Sequence, residues 1–334
     1  MSVKPTLASV AKEAGVSIPT VSQVMRGTGR ISEQTRKKVL QAAKKLHYVT
    51  DSRAAAMRSG EYHEVGFLIN QLSNPFNAEV ISGVVDLLDA EGYLVSVLDT
   101  RDDAARQSRH LDAFIRQRRG GLIWVPALQT DDDTLAMLAA QAVPTVSFMR
   151  PANAQMDYVG IRNAEATAMA TRHLIELGHR HIAYLGGVGM NFVRKQRVEG
   201  YVHTLSAQGL GEGIVWQCPE NKLAGLSAMQ ELMHKHPQVT AVVCNGDMVA
   251  IGACLALARD GLVAGHDMSV IGFDDIQDAI VATPPLTTMA ISPKNLGMRL
   301  ARVLLDRMRD PKAPATATEV SAKLVLRQTT GVPG

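Results

Sequence analysis

The run from Thr6 to Arg26, TLASVAKEAGVSIPTVSQVMR, constrains this chain more than any other stretch. Leu7, Val10, Ala11 and Ala14 recur at the spacing that turns one helical face toward a core. Gly15 interrupts the pattern and is the residue type that tolerates a left-handed turn. Ser17 is an N-cap, and a second helical pattern (Ile18, Val21, Val24, Met25) begins at once. Two short helices joined by so brief a turn cross steeply, forming a helix-turn-helix unit. A third helix is expected after Ser32, with Val39, Leu40, Ala43 and Leu46 closing the small core.

Charge is distributed to match. Residues 1–60 carry 11 Lys and Arg against 3 Asp and Glu, whereas residues 61–334 carry 24 against 29. A basic head therefore sits on a mildly acidic body, the concentration that phosphate neutralisation needs. Together with the turn geometry this points to double-stranded DNA.

The roughly 270 residues beyond the head suit a large α/β unit or two lobes. Hydrophobic residues make up 46% of the chain, enough for a substantial core, and aromatics only 4%, so an aromatic near a site is informative. No apolar run reaches membrane-spanning length and the N-terminus lacks a signal-peptide core. Cys218, Cys244 and Cys254 show no CxxC spacing, which predicts reduced thiols, no zinc site and a cytoplasmic protein.

Residues 1–49 are expected as the headpiece and 50–64 as a linker. The apolar content of the linker (Ala54, Ala55, Ala56, Met57) is too small for a stable isolated helix, so it should become helical only when docked. From Val65 strands alternate with helices. Strands are expected at 65–70, 93–98, 122–125, 145–148, 181–185, 240–244, 269–273, 286–291 and 320–326. Helices are expected at 75–91, 104–117, 132–141, 165–177, 194–208, 225–236, 249–260 and 293–309. His179 and His181 look like surface residues of a turn. The fold class is α/β: an all-α head followed by two doubly wound parallel-sheet lobes. The lobes are expected at 65–161 plus 292–318, and 162–291 plus 319–334, with the late segments crossing between them. Ligands in such sheets sit beyond the carboxyl ends of the strands, in loops 71–76, 126–129, 149–151, 186–197, 245–248 and 274–277.

The head, with TLASVAKEAGVSIPTVSQVMRG followed by ISEQTRKKVLQAAKKLHYV, resembles the lactose/galactose repressor family of bacterial transcription regulators. The likeness continues through SNPFNAEVISGV, HLIELGHRHIAYLGG, RVEGY, SVIGFDDI and PPLTTM, in order and over nearly the whole chain. It implies a periplasmic-binding-protein-like body closing on a small effector, a homodimer on a two-fold-symmetric operator, and a repressor. The last expected strand leaves eight residues, too few for a heptad zipper, which favours a dimer over a tetramer.

The start of the second helix should present Ile18, Pro19 and Gln23 to base edges, and the resemblance assigns them that role. Gln23 can pair with adenine and Ile18 can pack on a thymine methyl, although Ile18 and Pro19 also make ordinary helix-start residues. Thr6, Ser17, Thr20, Ser22, Ser32, Thr35 and Arg36 are placed for phosphates. The resemblance adds Arg26, Tyr48, Arg53 and Ala54, and puts Met57 where the family usually carries a minor-groove leucine. Thr50 and Asp51 stand where proline and asparagine are common.

In the body, Phe76 and Trp124 are the aromatics best placed to cover a sugar, beside Asn74. Arg197 and Asp274 match the family's effector-contacting arginine and hydroxyl-accepting aspartate. Plainer roles remain open: Phe76 in the core, Arg197 in a bridge between lobes, Asp274 or Asp275 as a helix cap. Arg150, Asn191, Phe192, Asn245 and Asp247 complete the expected effector set. Two family positions depart: Gly246-Asp247 replaces Asn-Asp, and Met149 replaces an aspartate before Arg150. The expected effector is a mono- or disaccharide, with a purine or another small metabolite as the alternative. A sugar-binding protein without a regulatory role is the other class, and it would carry a secretion signal instead of a basic head. No cofactor, metal or enzymatic activity is expected: GGVG at 186–189 lacks phosphate-loop spacing and no Ser/His/Asp grouping is suggested.

Overall fold

A computed structural model describes residues 4–49, 62–117, 119–189 and 191–334. The chain forms two compact units, residues 1–62 and 63–334. The head contains α1 (Leu7–Ala14), α2 (Ile18–Met25) and α3 (Glu33–Lys45). Val10, Ala11, Val21, Val24, Val39, Ala42 and Ala43 form its core. Gly15 adopts φ +67°, the left-handed turn that lets α2 start with only three residues between it and α1.

The second unit holds two six-stranded sheets. The first takes β1 (Glu64–Ile69), β2 (Leu94–Asp99), β3 (Gly121–Trp124), β4 (Thr145–Phe148), β5 (Asp157–Ile161) and a late strand, β11 (Ala317–Val320). Its order is β11-β5-β4-β3-β1-β2, all parallel, with Phe67 opposite Val97 on one side and Ile123 on the other. Helices α4 (Pro75–Ala90), α5 (Ala104–Arg116) and α6 (Asp132–Ala140) alternate with these strands. The second sheet runs β12-β10-β9-β8-β6-β7. Its strands are β6 (Ile182–Leu185), β7 (Ile214–Trp216), β8 (Ala241–Cys244), β9 (Ser269–Asp274), β10 (Thr287–Ala290) and β12 (Lys323–Val325), with β12 antiparallel to β10. Between them lie α7 (Asn163–Glu176), α8 (Phe192–Ala207), α9 (Lys222–Lys235), α10 (Asp247–Arg259) and the short α11 (Gln277–Val281).

The chain crosses between sheets after β5, after β10 through α12 (Pro293–Arg309), and after β11. α12 returns to the first lobe and lies on α4 at backbone distance. A Cβ on Gly83 would sit 2.0 Å from the Lys294 carbonyl oxygen, and one on Gly297 2.0 Å from that of Val80. Of the segment 320–326, expected as one strand, Val320 closes β11 in the first sheet and Lys323–Val325 forms β12 in the second, while residues 317–319 of β11 lie outside the expected range. Ser321 and Ala322 make the joint, and period-two alternation reads the same on either side of it. β5 and β7 lie outside the expected strands. β5 opens on a charged residue, Asp157, buried against Arg307 at 2.7 Å, and β7 is only three residues long. His179, expected at the surface, is 1% exposed. Its ring nitrogens bond Thr240 Oγ1 (2.8 Å), Ser269 Oγ (2.9 Å) and the Gly331 carbonyl (2.9 Å), tying the C-terminal segment to β9.

Candidate DNA-binding and effector sites

Each head helix starts on a hydroxyl cap. Thr6 Oγ1 accepts from Ser9 N at 3.2 Å, and Ser17 and Ser32 accept from Thr20 N and Thr35 N, both at 3.3 Å. The hydroxyls of Ser17 and Thr20 pair at 2.8 Å, as do those of Ser32 and Thr35 at 2.9 Å. Ile18 is 48% exposed and Pro19 is exposed, so the first turn of α2 presents apolar groups outward where a core helix would bury them. Ser22, Gln23 and Arg36 are half-buried, with Gln23 lying over Gly29. Arg26 donates from Nε to the Ser22 carbonyl at 3.1 Å. Tyr48 packs on the head's core. Arg53, Ala54 and Met57 lie outside the described residues.

In the second unit a cavity of about 300 Å³ opens at the carboxyl ends of the parallel strands. Asn70, Gln71, Asn74, Phe76 and Asn77 line it from the β1–α4 loop and the start of α4, Asp102 from beyond β2, and Met149 and Arg150 from beyond β4. The second lobe contributes Asn191, Arg194 and Arg197 from α8 and its cap, Glu220 and Asn221 from beyond β7, Asn245 from beyond β8, and Asp274 from the end of β9. Asn74 caps α4, accepting from Phe76 N at 3.0 Å, and Asn191 caps α8, accepting from Arg194 N at 3.0 Å.

Two cation–carboxylate pairs organise the walls. Arg150 grips Asp102 with both Nη atoms, at 2.5 and 2.7 Å, and donates to the Pro126 carbonyl at 2.9 Å. Arg197, 5% exposed, lies 3.5 Å from the centre of the Phe273 ring. It donates from Nε to Asn163 Oδ1 at 2.8 Å and from Nη1 to the Asn245 carbonyl, leaving Nη2 3.8 Å from Asp274 Oδ1. All of these partners belong to the second lobe, so Arg197 makes no bridge between lobes. Asp274 has φ +113° and is 8% exposed. Burial pushes its carboxyl well above the usual carboxylate range; Arg197 opposes the shift, and Asp247 and Glu220 add to it. Asp274 does not cap α11, whose N-cap, Ile276, offers no side-chain bond, and Asp275 instead pairs with Arg327 at 2.6 Å.

The family described as bacterial regulatory proteins, lacI family, matches residues 6–51, and a periplasmic binding protein-like domain matches residues 171–330. The maltose regulon regulatory protein MalI of Escherichia coli (strain K12) is 30% identical across 96% of this chain and 98% of its own length. The chain belongs to the LacI family. It is a DNA-binding transcriptional repressor with an effector-binding core, and not an enzyme. A Lac repressor dimer solved with operator and the anti-inducer ONPF superposes with a TM-score of 0.86 at 26% identity, over 98% of this chain and 100% of that one. The regulator CelR, solved with cellobiose, gives 0.74 at 29% identity, over 97% and 99%. Among the described residues no helix of this LacI-family chain is long and apolar enough to cross a membrane.

Two expected effector residues, Trp124 and Asp247, are corrected by the geometry, and a third, Phe192, lies beside the main cavity. Trp124 is fully buried, donates from Nε1 to Gln107 Oε1 at 2.8 Å and packs with Leu68, Leu111, Phe114, Leu122 and Leu138, so it offers the cavity no ring. Asp247 is fully buried and outside the cavity lining, accepting from Thr288 Oγ1 at 2.5 Å and Ile276 N at 3.0 Å, and burial pushes it up to about 7. Phe192 lines an adjoining cavity of about 290 Å³, which shares Arg150 and Asn191 with the first. Phe76 serves both of its readings: it lines the cavity and stacks on Phe148, centroids 6.5 Å apart. Asp102, Arg194 and Glu220 were not among the expected site residues. Asp102 follows β2, whose carboxyl end was a usable signal, whereas Glu220 follows β7, which the sequence pattern does not reveal.

Proposed function

We propose that this repressor is controlled by a small, neutral, polyhydroxylated effector, a sugar, held in the cavity between the lobes. The observation that carries the reading is the chemistry of the lining. Three carboxylates (Asp102, Glu220, Asp274) face three guanidiniums (Arg150, Arg194, Arg197), so the formal charges cancel. Seven amide side chains supply both donors and acceptors. A polyol satisfies such a wall from every side, whereas a charged ligand would leave one set of ions unmatched. The volume suits a pyranose. A purine calls for flat cover on its ring, and among the described lining residues only Phe76 is aromatic.

The head, residues 1–49, reads a two-fold-symmetric operator through Ile18, Pro19 and Gln23, with phosphates held at the caps Thr6, Ser17 and Ser32 and by Thr20, Ser22, Arg26, Thr35 and Arg36. Residues 50–64 couple head to body, with Met57 as the minor-groove wedge. The protein acts in the cytoplasm as a homodimer through the body, with α4 and α10 as the leading interface elements. Leu255 on α10 is 47% exposed and Val263, just beyond it, 52%, apolar surface consistent with that arrangement. Calorimetry of the full chain against ribose, glucose, maltose, cellobiose, hypoxanthine and guanine tests the effector class. A sugar should bind and the purines should not; binding of a purine alone overturns the reading.

A further inference from the structure

Position 246 carries a glycine where the family pattern places an asparagine, and the space so released is occupied. A Cβ built on Gly246 would lie 2.6 Å from Glu220 Oε1 and 3.4 Å from Asp274 Oδ2. The two carboxylates thus converge on one gap in the cavity wall, from different loops. Glu220 Oε2 accepts from Asn245 Nδ2, but Oε1 is shielded from bulk water and has no hydrogen-bond partner among the described residues. Leaving a shielded carboxylate oxygen unpaired is costly, and a site retains such a group when something else completes it. The last side-chain torsion of glutamate is soft, so the carboxylate can turn as a unit and present Oε1 to the cavity, with Oε2 turning away from Asn245 Nδ2 as it does so.

We propose that Glu220 is a specificity-determining residue of the effector site, admitted by Gly246, and that it accepts a hydrogen bond from a sugar hydroxyl beside the one taken by Asp274. A carboxylate pair spaced in this way receives neighbouring hydroxyls of one ring, and each oxygen rejects a ligand that offers no donor there. The inference rests on the sugar reading for its ligand, but the pairing of Glu220 with Gly246 can be tested without one. Burial raises the Glu220 carboxyl above its ordinary range despite Arg197, Asn245 and Arg194, so the charged form is held at a cost in the ligand-free protein.

The test has two arms on the full chain. In thermal unfolding at pH 7 without ligand, Glu220→Gln should raise the midpoint by about 3 °C, because the neutral amide leaves no shielded charge unpaired. In a Gly246→Ala background the added methyl displaces the carboxylate, and the same substitution should then shift the midpoint by less than about 1 °C. A fall on Glu220→Gln, or an equal gain in both backgrounds, overturns the pairing. In calorimetry with whichever of ribose, glucose, maltose or cellobiose binds the wild type, Glu220→Gln should weaken affinity about 10-fold or more. Unchanged affinity overturns the specificity role. If none of the four sugars binds the wild type, the sugar reading fails, and the thermal cycle still decides whether Gly246 admits Glu220.

Discussion

Asp274→Asn is the substitution that probes the effector site most cleanly. Asparagine keeps the shape of the side chain and, like the aspartate it replaces, is enriched among non-glycine residues at positive φ, so the backbone should stay in place. Arg197 loses an ion-pair partner 3.8 Å away, yet remains held by Asn163 and the Asn245 carbonyl. What disappears is a shielded carboxyl acceptor at 8% exposure, whose ionised form burial opposes and a donating hydroxyl favours; a hydrogen bond to that form is worth about 1.5–3 kcal/mol. At 1.4 kcal/mol per decade, sugar affinity should fall roughly 10- to 150-fold. Calorimetry on wild type and variant measures this directly. Asp275→Asn is the control, since that neighbouring carboxylate pairs with Arg327 outside the cavity lining and its loss should alter sugar affinity less than about twofold. Equal losses for both variants, or no loss for Asp274→Asn, would refute the assignment of the Asp274 carboxylate to the effector.

Gln23→Ala should cost about 1–3 kcal/mol on the operator and little on random DNA in a gel-shift titration, with affinity on both falling steeply as salt rises; equal losses would remove Gln23 from base reading. His179→Leu should lower unfolding free energy by about 2–4 kcal/mol in urea melts, because Thr240, Ser269 and the Gly331 carbonyl all lose a buried partner. Burial lowers the His179 pKa, so as pH drops below about 6.5 the unfolded chain takes up a proton that the folded one refuses; wild-type stability should therefore decline there, and the His179→Leu variant should show a shallower decline. Gly83→Ala should destabilise the core by about 1–3 kcal/mol, since the new methyl would sit 2.0 Å from a backbone carbonyl; an unchanged melt would mean that α4 and α12 separate freely.

What the sequence revealed and what it hid follow from the range of the forces involved. The head was legible because caps, glycine turn and apolar spacing are local: Thr6, Ser17 and Ser32 each cap the helix that follows. Long helices and buried strands showed for the same reason. β5 and β7 did not, because their position depends on pairing with β4 and β6, and not on their own composition. The three-residue β7 carried Glu220 out of view with it. Trp124 misled because an aromatic at a strand's carboxyl end can turn toward the ligand or into the core, and the Gln107 side chain that captures its N–H lies seventeen positions earlier. The two departures from the family pattern find physical counterparts. Beside Met149, Asp102 reaches Arg150 from another loop, and above Gly246 the space is filled by Glu220. In each lobe a carboxylate arrives from a neighbouring loop, a substitution that motif reading position by position cannot register.

The measurement closest to the centre of the mechanism is reciprocal coupling. Operator selected from random duplexes is titrated by fluorescence anisotropy with and without saturating sugar, and the sugar is titrated by calorimetry with and without saturating operator. Lobe closure that links the two sites requires the same factor in both directions, expected at about 5- to 150-fold. Sugar that binds the cavity while leaving operator affinity unchanged would contradict effector control of repression.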